Sequence, residues 1–153
     1  MVAELRKTNT NLYDTDYNLW ILDTVQKLQC KDLDSLDWEN LIEEVLGLGR
    51  SDKRKLESLM TGLIEHLLKL GYWQSERNYN QNHWRREIRN FRKQIKRELK
   101  ASPSLKNYLV QIFDELYQDA RELLADDSGL PIDIFPEQPI ATLEQVIDED
   151  WLP

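Results

Sequence analysis

Cysteine is nearly absent from this 153-residue chain, with Cys30 the single example. One thiol cannot close an internal disulfide or build a cysteine metal cluster, so the usage points to a reducing compartment, the cytoplasm. Glycine and proline are scarce as well, five of each, and four of the prolines lie at or after Pro131. Breakers are therefore almost missing from the middle of the chain, which favours long helices. No run of about 18 apolar residues occurs, and no charged-then-apolar leader, so neither a membrane span nor a signal peptide is expected. Positive charge is missing from the end: after Arg121 there is no Lys, Arg or His, against nine Asp and Glu. A glycine-rich phosphate loop, a His-Glu-x-x-His pair and a cysteine-nucleophile context are all lacking, which removes the standard catalytic signatures. No alternating strand pattern stands out.

What is present is helical periodicity. Leu56, Leu59, Met60, Leu63, Ile64, Leu67 and Leu68 fall at i, i+3, i+4, i+7, i+8, i+11 and i+12. That spacing makes one broad apolar stripe, the mark of the central helix of a bundle. Before it, Asp14 or Thr15 can cap a first helix with Tyr17, Trp20, Ile21, Thr24, Val25 and Leu28 inward. Asp37 can cap a second, with Leu36 and Leu41 as a hydrophobic staple and Trp38, Leu41, Ile42, Val45 and Leu46 inward. Gly47 and Gly49 predict a break before the central helix starts near Asp52, and Gly71 predicts its end.

Asn82 can cap a basic helix with Trp84, Ile88, Phe91, Ile95 and Leu99 on its apolar side. Ser102-Pro103 reads as the cap and first position of a last long helix, ended by Gly129. Pro131, Pro136 and Pro139 keep the following chain extended, and Thr142 with Gln145 forms a capping-box pair for a final short turn. The expected class is all-α: an antiparallel bundle of four to five helices with an extended, proline-containing C-terminal tail packed over it. The expected organisation is one helical domain over residues 1–153, comprising a loosely ordered arm (1–12), a helical bundle (14–126) and the tail with its short helix (130–153).

Several segments recur in an order that resembles a known family: YDTDYNLW at Tyr13–Trp20, SLDWENLIEEV at Ser35–Val45, HLLK at His66–Lys69, HWR at His83–Arg85, SPSL at Ser102–Leu105, YQDAR at Tyr117–Arg121 and FPEQPIATLEQVIDEDWLP at the end. Together they resemble the bacterial domain-of-unknown-function family 29, over nearly the whole chain from Tyr13. The resemblance implies a small helical cytoplasmic protein and brings no activity, cofactor or catalytic residue with it. His83 stands where the family's usual pattern has serine, and Ile140 where it has an aromatic residue.

Two groups of residues invite a functional reading. His66, inside the central stripe, would with Glu43, Glu44 and Arg92 supply a polar cluster for an enzyme or a metal-binding bundle. Against this, a carboxylate-bridged di-metal bundle needs two Glu-x-x-His motifs, and neither His66 nor His83 has a Glu three residues before it. No metal and no cofactor are expected. The bland alternative is a half-buried histidine bonded to one partner group.

The second group is the basic stretch from Trp84 to Lys100, with eight Lys and Arg against two Glu, or +6. Since the whole chain is −8, the remainder carries −14. Arg85, Arg86, Arg89, Arg92, Lys93, Lys96 and Arg97, near Trp73, Tyr79 and Trp84, are candidates for nucleic-acid or anion binding. The plainer reading is a solvated face, or one paired internally with the acidic tail. The preferred function is a helical binding or accessory module acting on an unidentified protein partner or by self-association, without catalysis of its own.

Overall fold

The computed structural model describes residues 12–153, and among these residues there are helices and no strand. The arm expected over residues 1–12 lies outside the described residues but for Leu12, which belongs to a helical turn at 12–15. Then follow α1 (Tyr17–Gln29), a 3-10 turn at Leu33–Ser35, α2 (Trp38–Tyr72), α3 (Gln74–Ala101), α4 (Leu105–Ser128), a second 3-10 turn at Ile132–Ile134 and α5 (Leu143–Ile147). The all-α expectation is met.

Local chemistry sets most boundaries. Asp16, rather than Asp14 or Thr15, caps α1, its carboxylate accepting from the Leu19 N–H at 3.0 Å. The two earlier residues are held in the preceding turn, where the Asp16 N–H donates to the Leu12 carbonyl. Asp37 caps α2 by accepting from the Asn40 N–H at 3.4 Å, and Thr142 and Gln145 make the expected capping box of α5. Gly129 ends α4 in the left-handed region at φ 69°, its N–H on the Ala125 carbonyl. A side chain would be strained at that φ, so glycine is the natural stop.

Four expected boundaries are corrected. The break at Gly47 and Gly49 does not occur, because α2 runs on through both. Neither glycine has a positive φ, and each costs only about 1 kcal/mol in a helix interior, which a long cooperative helix absorbs. Gly71 also stays helical, and one residue, Trp73, separates α2 from α3, so α3 begins at Gln74 rather than near Asn82. A Cβ at Gly71 would lie 3.3 Å from Pro153, so the small residue makes room for the chain's end. Pro103 is not the first helical residue of α4. The Ser102 and Pro103 carbonyls instead accept from Leu105 and Lys106 in a short turn ahead of the helix.

The chain divides into two compact units, Met1–Ser51 and Asp52–Pro153. The second holds the continuous core. The central stripe of α2 is buried throughout, with Leu56, Met60, Leu63 and Leu68 each at 0 % exposure, as are Ile88 and Ile95 of α3 and Leu109, Tyr117 and Leu124 of α4. Gly62 lets two helices approach, since a Cβ there would stand 2.7 Å from the Phe91 ring. Ile112 is only partly buried, packed against the core rather than in it.

The tail closes this unit as expected. Phe135, Leu143 and Val146 are buried in the core, and the Tyr117 hydroxyl donates to the Pro136 carbonyl at 2.7 Å while Arg121 donates to that of Phe135 at 2.8 Å. In the first unit, burial among the described residues is confined to Trp20, Thr24 and Leu36. Leu41, expected in the core, is half-buried.

Candidate docking surface

Of the expected polar cluster, Glu43 and Glu44 belong to the first unit and His66 and Arg92 to the second. His66 lies 22 residues beyond Glu44 on the same continuous helix, six turns along it. His66 bonds within its own helix, through Nδ1 to the Gly62 carbonyl at 2.8 Å, and its ring tilts against Phe91. A carbonyl can only accept, so Nδ1 carries the proton. Burial holds its pKa below the ordinary histidine value, against the Gly62 bond, which favours protonation.

Such a group contributes stability that is complete above the unfolded value near 6.5 and is lost as pH falls toward the folded value. Replacing His66 by Gln is therefore expected to flatten the fall in stability just below pH 6.5, read as the difference between the two proteins' denaturation midpoints against pH. Glu65, whose pKa burial raises, works in the opposite sense and is common to both proteins. An unchanged pH profile would show that the ring is not desolvated in the folded state.

Glu44 has both carboxylate oxygens engaged, one by Tyr13 at 2.6 Å and one by Tyr17 at 2.5 Å. These two bonds lower its pKa, and the bond to Glu44 pushes that of Tyr13 up to about 12. Glu43 pairs with Arg50 at 3.3 Å in solvent. Among the described residues no three of His, Cys, Asp and Glu come together as a metal site.

Arg92 is no surface cation. It is 2 % exposed, and its guanidinium donates to three tail carbonyls: Nε to Val146 at 2.8 Å, Nη2 to Trp151 at 2.8 Å and Nη1 to Glu149 at 3.5 Å. Three of its five N–H groups are thus held by the tail, and burial lowers its pKa from the usual arginine value. Its position shows in the sequence, four residues after Ile88 and three before Ile95, on the apolar stripe itself.

The tail thus reaches the basic helix, but carbonyls do most of the holding. Among the described residues one tail carboxylate, Glu149, pairs with it, through Lys96 at 2.9 Å, and that pairing lowers the Glu149 pKa. Arg85, Arg86, Arg89, Lys93 and Arg97 remain exposed. Arg85, Arg89 and Lys93 border a cavity of about 280 Å³ whose wall also holds Glu149. On the same unit an acidic groove of about 690 Å³ runs past Glu57, Glu65, Asp119, Glu122 and Asp126.

The outstanding surface lies elsewhere. Among the described residues 17 large hydrophobic side chains are exposed, and 12 of them belong to the first unit, which supplies only 40 of those residues. On α1, Tyr17, Ile21, Leu22, Val25 and Leu28 are 37–57 % exposed and span one arc of the helix. On the first turns of α2, Trp38, Ile42, Val45, Leu46 and Leu48 are 48–69 % exposed.

All of those but Leu22 and Leu48 were expected inward, and the reason they are not is visible in the contacts. Within this unit α2 turns a mostly polar edge inward: Asn40, Leu41, Glu44 and Gly47 are the half-buried positions, at i, i+1, i+4 and i+7. Glu44 takes the two tyrosine hydroxyls, and Asp37 takes the Trp20 indole N–H at 3.3 Å. Tyr13 and Tyr17 pack around Trp20, completing a small aromatic contact. The polar edge is spent on these bonds, and the apolar stripe is left facing water. Periodicity locates such a stripe but carries no sign of what covers it.

No helix among the described residues is long and apolar enough to cross a membrane. No curated protein and no solved structure matches the chain. The model of a family described as a domain of unknown function, DUF29, matches residues 12–152. Covering all but the two ends and agreeing with the motifs from Tyr13 to the FPEQP tail, that match places the chain in the DUF29 family.

Proposed function

We propose that this protein is a cytoplasmic binding module that works through protein–protein contacts, with the apolar face of α1 and the first turns of α2 as its docking surface. The observation that carries the reading is the concentration of exposed Tyr, Trp, Leu, Ile and Val on one small unit. Contiguous apolar patches of more than a few hundred Å² are rare on monomeric soluble proteins and mark sites of association. Aromatic residues at such a patch are the usual anchors of binding energy. The lone exposed Cys30 suits a reducing compartment.

The test is a double substitution, Ile42→Glu with Leu46→Glu. Both side chains are more than half exposed, so the variant is expected to keep its helical circular-dichroism signal and to lose association in the native cytoplasm. A variant that unfolds would mean that the face is covered within the chain, and the docking reading would fall.

A further inference from the structure

The docking reading leaves open what occupies the face, and three features of the first unit bear on it. The first is area. Ten side chains on α1 and α2, each 37–69 % exposed, present on the order of 1,000 Å² per chain, where a stable interface buries roughly 800 Å² per partner. The second is architecture. Two antiparallel helices with one shared apolar face are half of a four-helix bundle, and the same face of another hairpin supplies the other half. No charged side chain lies within the face, so two identical copies bring no like charges together at its centre.

The third is charge along one edge. At 100° per residue, Glu39 and Arg50 are 20° apart around α2 and eleven residues apart along it, on the same side of the apolar stripe. In an antiparallel two-fold pair an edge meets itself, so Glu39 of one copy faces Arg50 of the other when the axis passes beside Val45, and Arg50, whose own-chain contact with Glu43 is a long, solvent-exposed one at 3.3 Å, is shared between the two carboxylates. Val45 is 61 % exposed and sits in the middle of the stripe. A parallel pair would set that charged edge against the edge carrying Leu41 and Leu48, which offers no counter-charge.

We infer that the face is covered by the same face of a second copy of this chain, in an antiparallel two-fold pairing of the first turns of α2 about Val45. The inference rests on the docking reading and names its occupant. The two hairpins then form a four-helix bundle, an isologous interface of the kind most soluble homodimers use. Exposed ion pairs are weak, so Glu39 and Arg50 set the register while the apolar side chains hold the copies together.

The test uses the full chain carrying Cys30→Ser. Sedimentation from micromolar concentration upward is expected to give twice the 18.3 kDa chain mass, and Val45→Glu to return it to one chain with the helical signal kept. Val45→Cys is expected to cross-link two chains on mild oxidation, while Tyr79→Cys, at a site 86 % exposed on α3, does not. Glu39→Arg should weaken pairing by several-fold to about ten-fold, and adding Arg50→Glu should restore it.

A dimer indifferent to Val45→Glu would overturn the inference. A monomer in which the thiol of Val45→Cys is labelled as fast as that of Tyr79→Cys would overturn the second copy as occupant, while leaving a free docking face for another partner. A monomer in which the thiol of Val45→Cys is protected would overturn both readings, because the face would be closed inside the chain.

Discussion

Deleting residues 131–153 is expected to abolish the cooperative melting of the second unit. The segment buries Phe135, Leu143 and Val146 at 0, 6 and 2 % exposure. At about 1.5–3 kcal/mol for each large apolar side chain, roughly 4.5–9 kcal/mol of burial is lost, against a total stability of about 5–15 kcal/mol for a typical domain. The deletion also strands donors on the remaining chain: the Tyr117 hydroxyl and the Arg121 and Arg92 guanidiniums lose their acceptors. Thermal unfolding followed by circular dichroism checks this. A truncated chain that melts cooperatively within a few degrees of the full one would show that the tail adds nothing to the fold.

Arg92→Met is expected to cost about 2–5 kcal/mol, since at least two backbone carbonyls lose their donor at about 1–3 kcal/mol each. The methionine fills part of the volume, but the carbonyls of Val146 and Trp151 lose donors at 2.8 Å, the first of them in a buried contact. Arg92→Lys should fall between, because one ammonium cannot span carbonyls from Val146 to Trp151 as a planar guanidinium does. Urea denaturation of the three proteins measures the order. A loss under about 1 kcal/mol for the methionine variant would mean that water replaces the guanidinium freely. Electrostatic attraction between an acidic tail and a basic helix, a natural reading of the charges, is thus the smaller part of this contact. Backbone carbonyls held at fixed positions by α5 and the last residues do what exposed carboxylates do poorly, since ion pairs in solvent are weak and screened.

The helices, several of their stops and the buried stripe of residues 56–68 were legible from residue order. Each depends on neighbours within a turn or two: Asp37 bonding Asn40, Gly129 adopting a left-handed φ, Thr142 and Gln145 bonding one another, leucines recurring every three or four residues. The attachment of the tail was legible too, because Phe135 and Val146 are apolar anchors in an otherwise acidic segment. The uninterrupted passage of α2 through Gly47 and Gly49 was not, since a propensity penalty of about 1 kcal/mol is small beside the cooperativity of a long helix. Nor was the burial of Arg92, whose charge argued for solvent while its place between Ile88 and Ile95 argued for the core.

By itself the sequence determined the class of the fold, the family and the existence of two apolar stripes ahead of residue 52, because amphipathic period and capping are short-range properties of the chain. Which way those stripes face was decided only by tertiary structure. Tyr13, Tyr17 and Trp20 draw the Asp37, Asn40 and Glu44 edge of α2 toward α1, since a carboxylate that accepts two hydroxyls is well satisfied there. With that edge taken, Trp38, Ile42 and Val45 have no surface within their own unit and are left about half or more exposed to water, the one environment that periodicity alone does not predict for them.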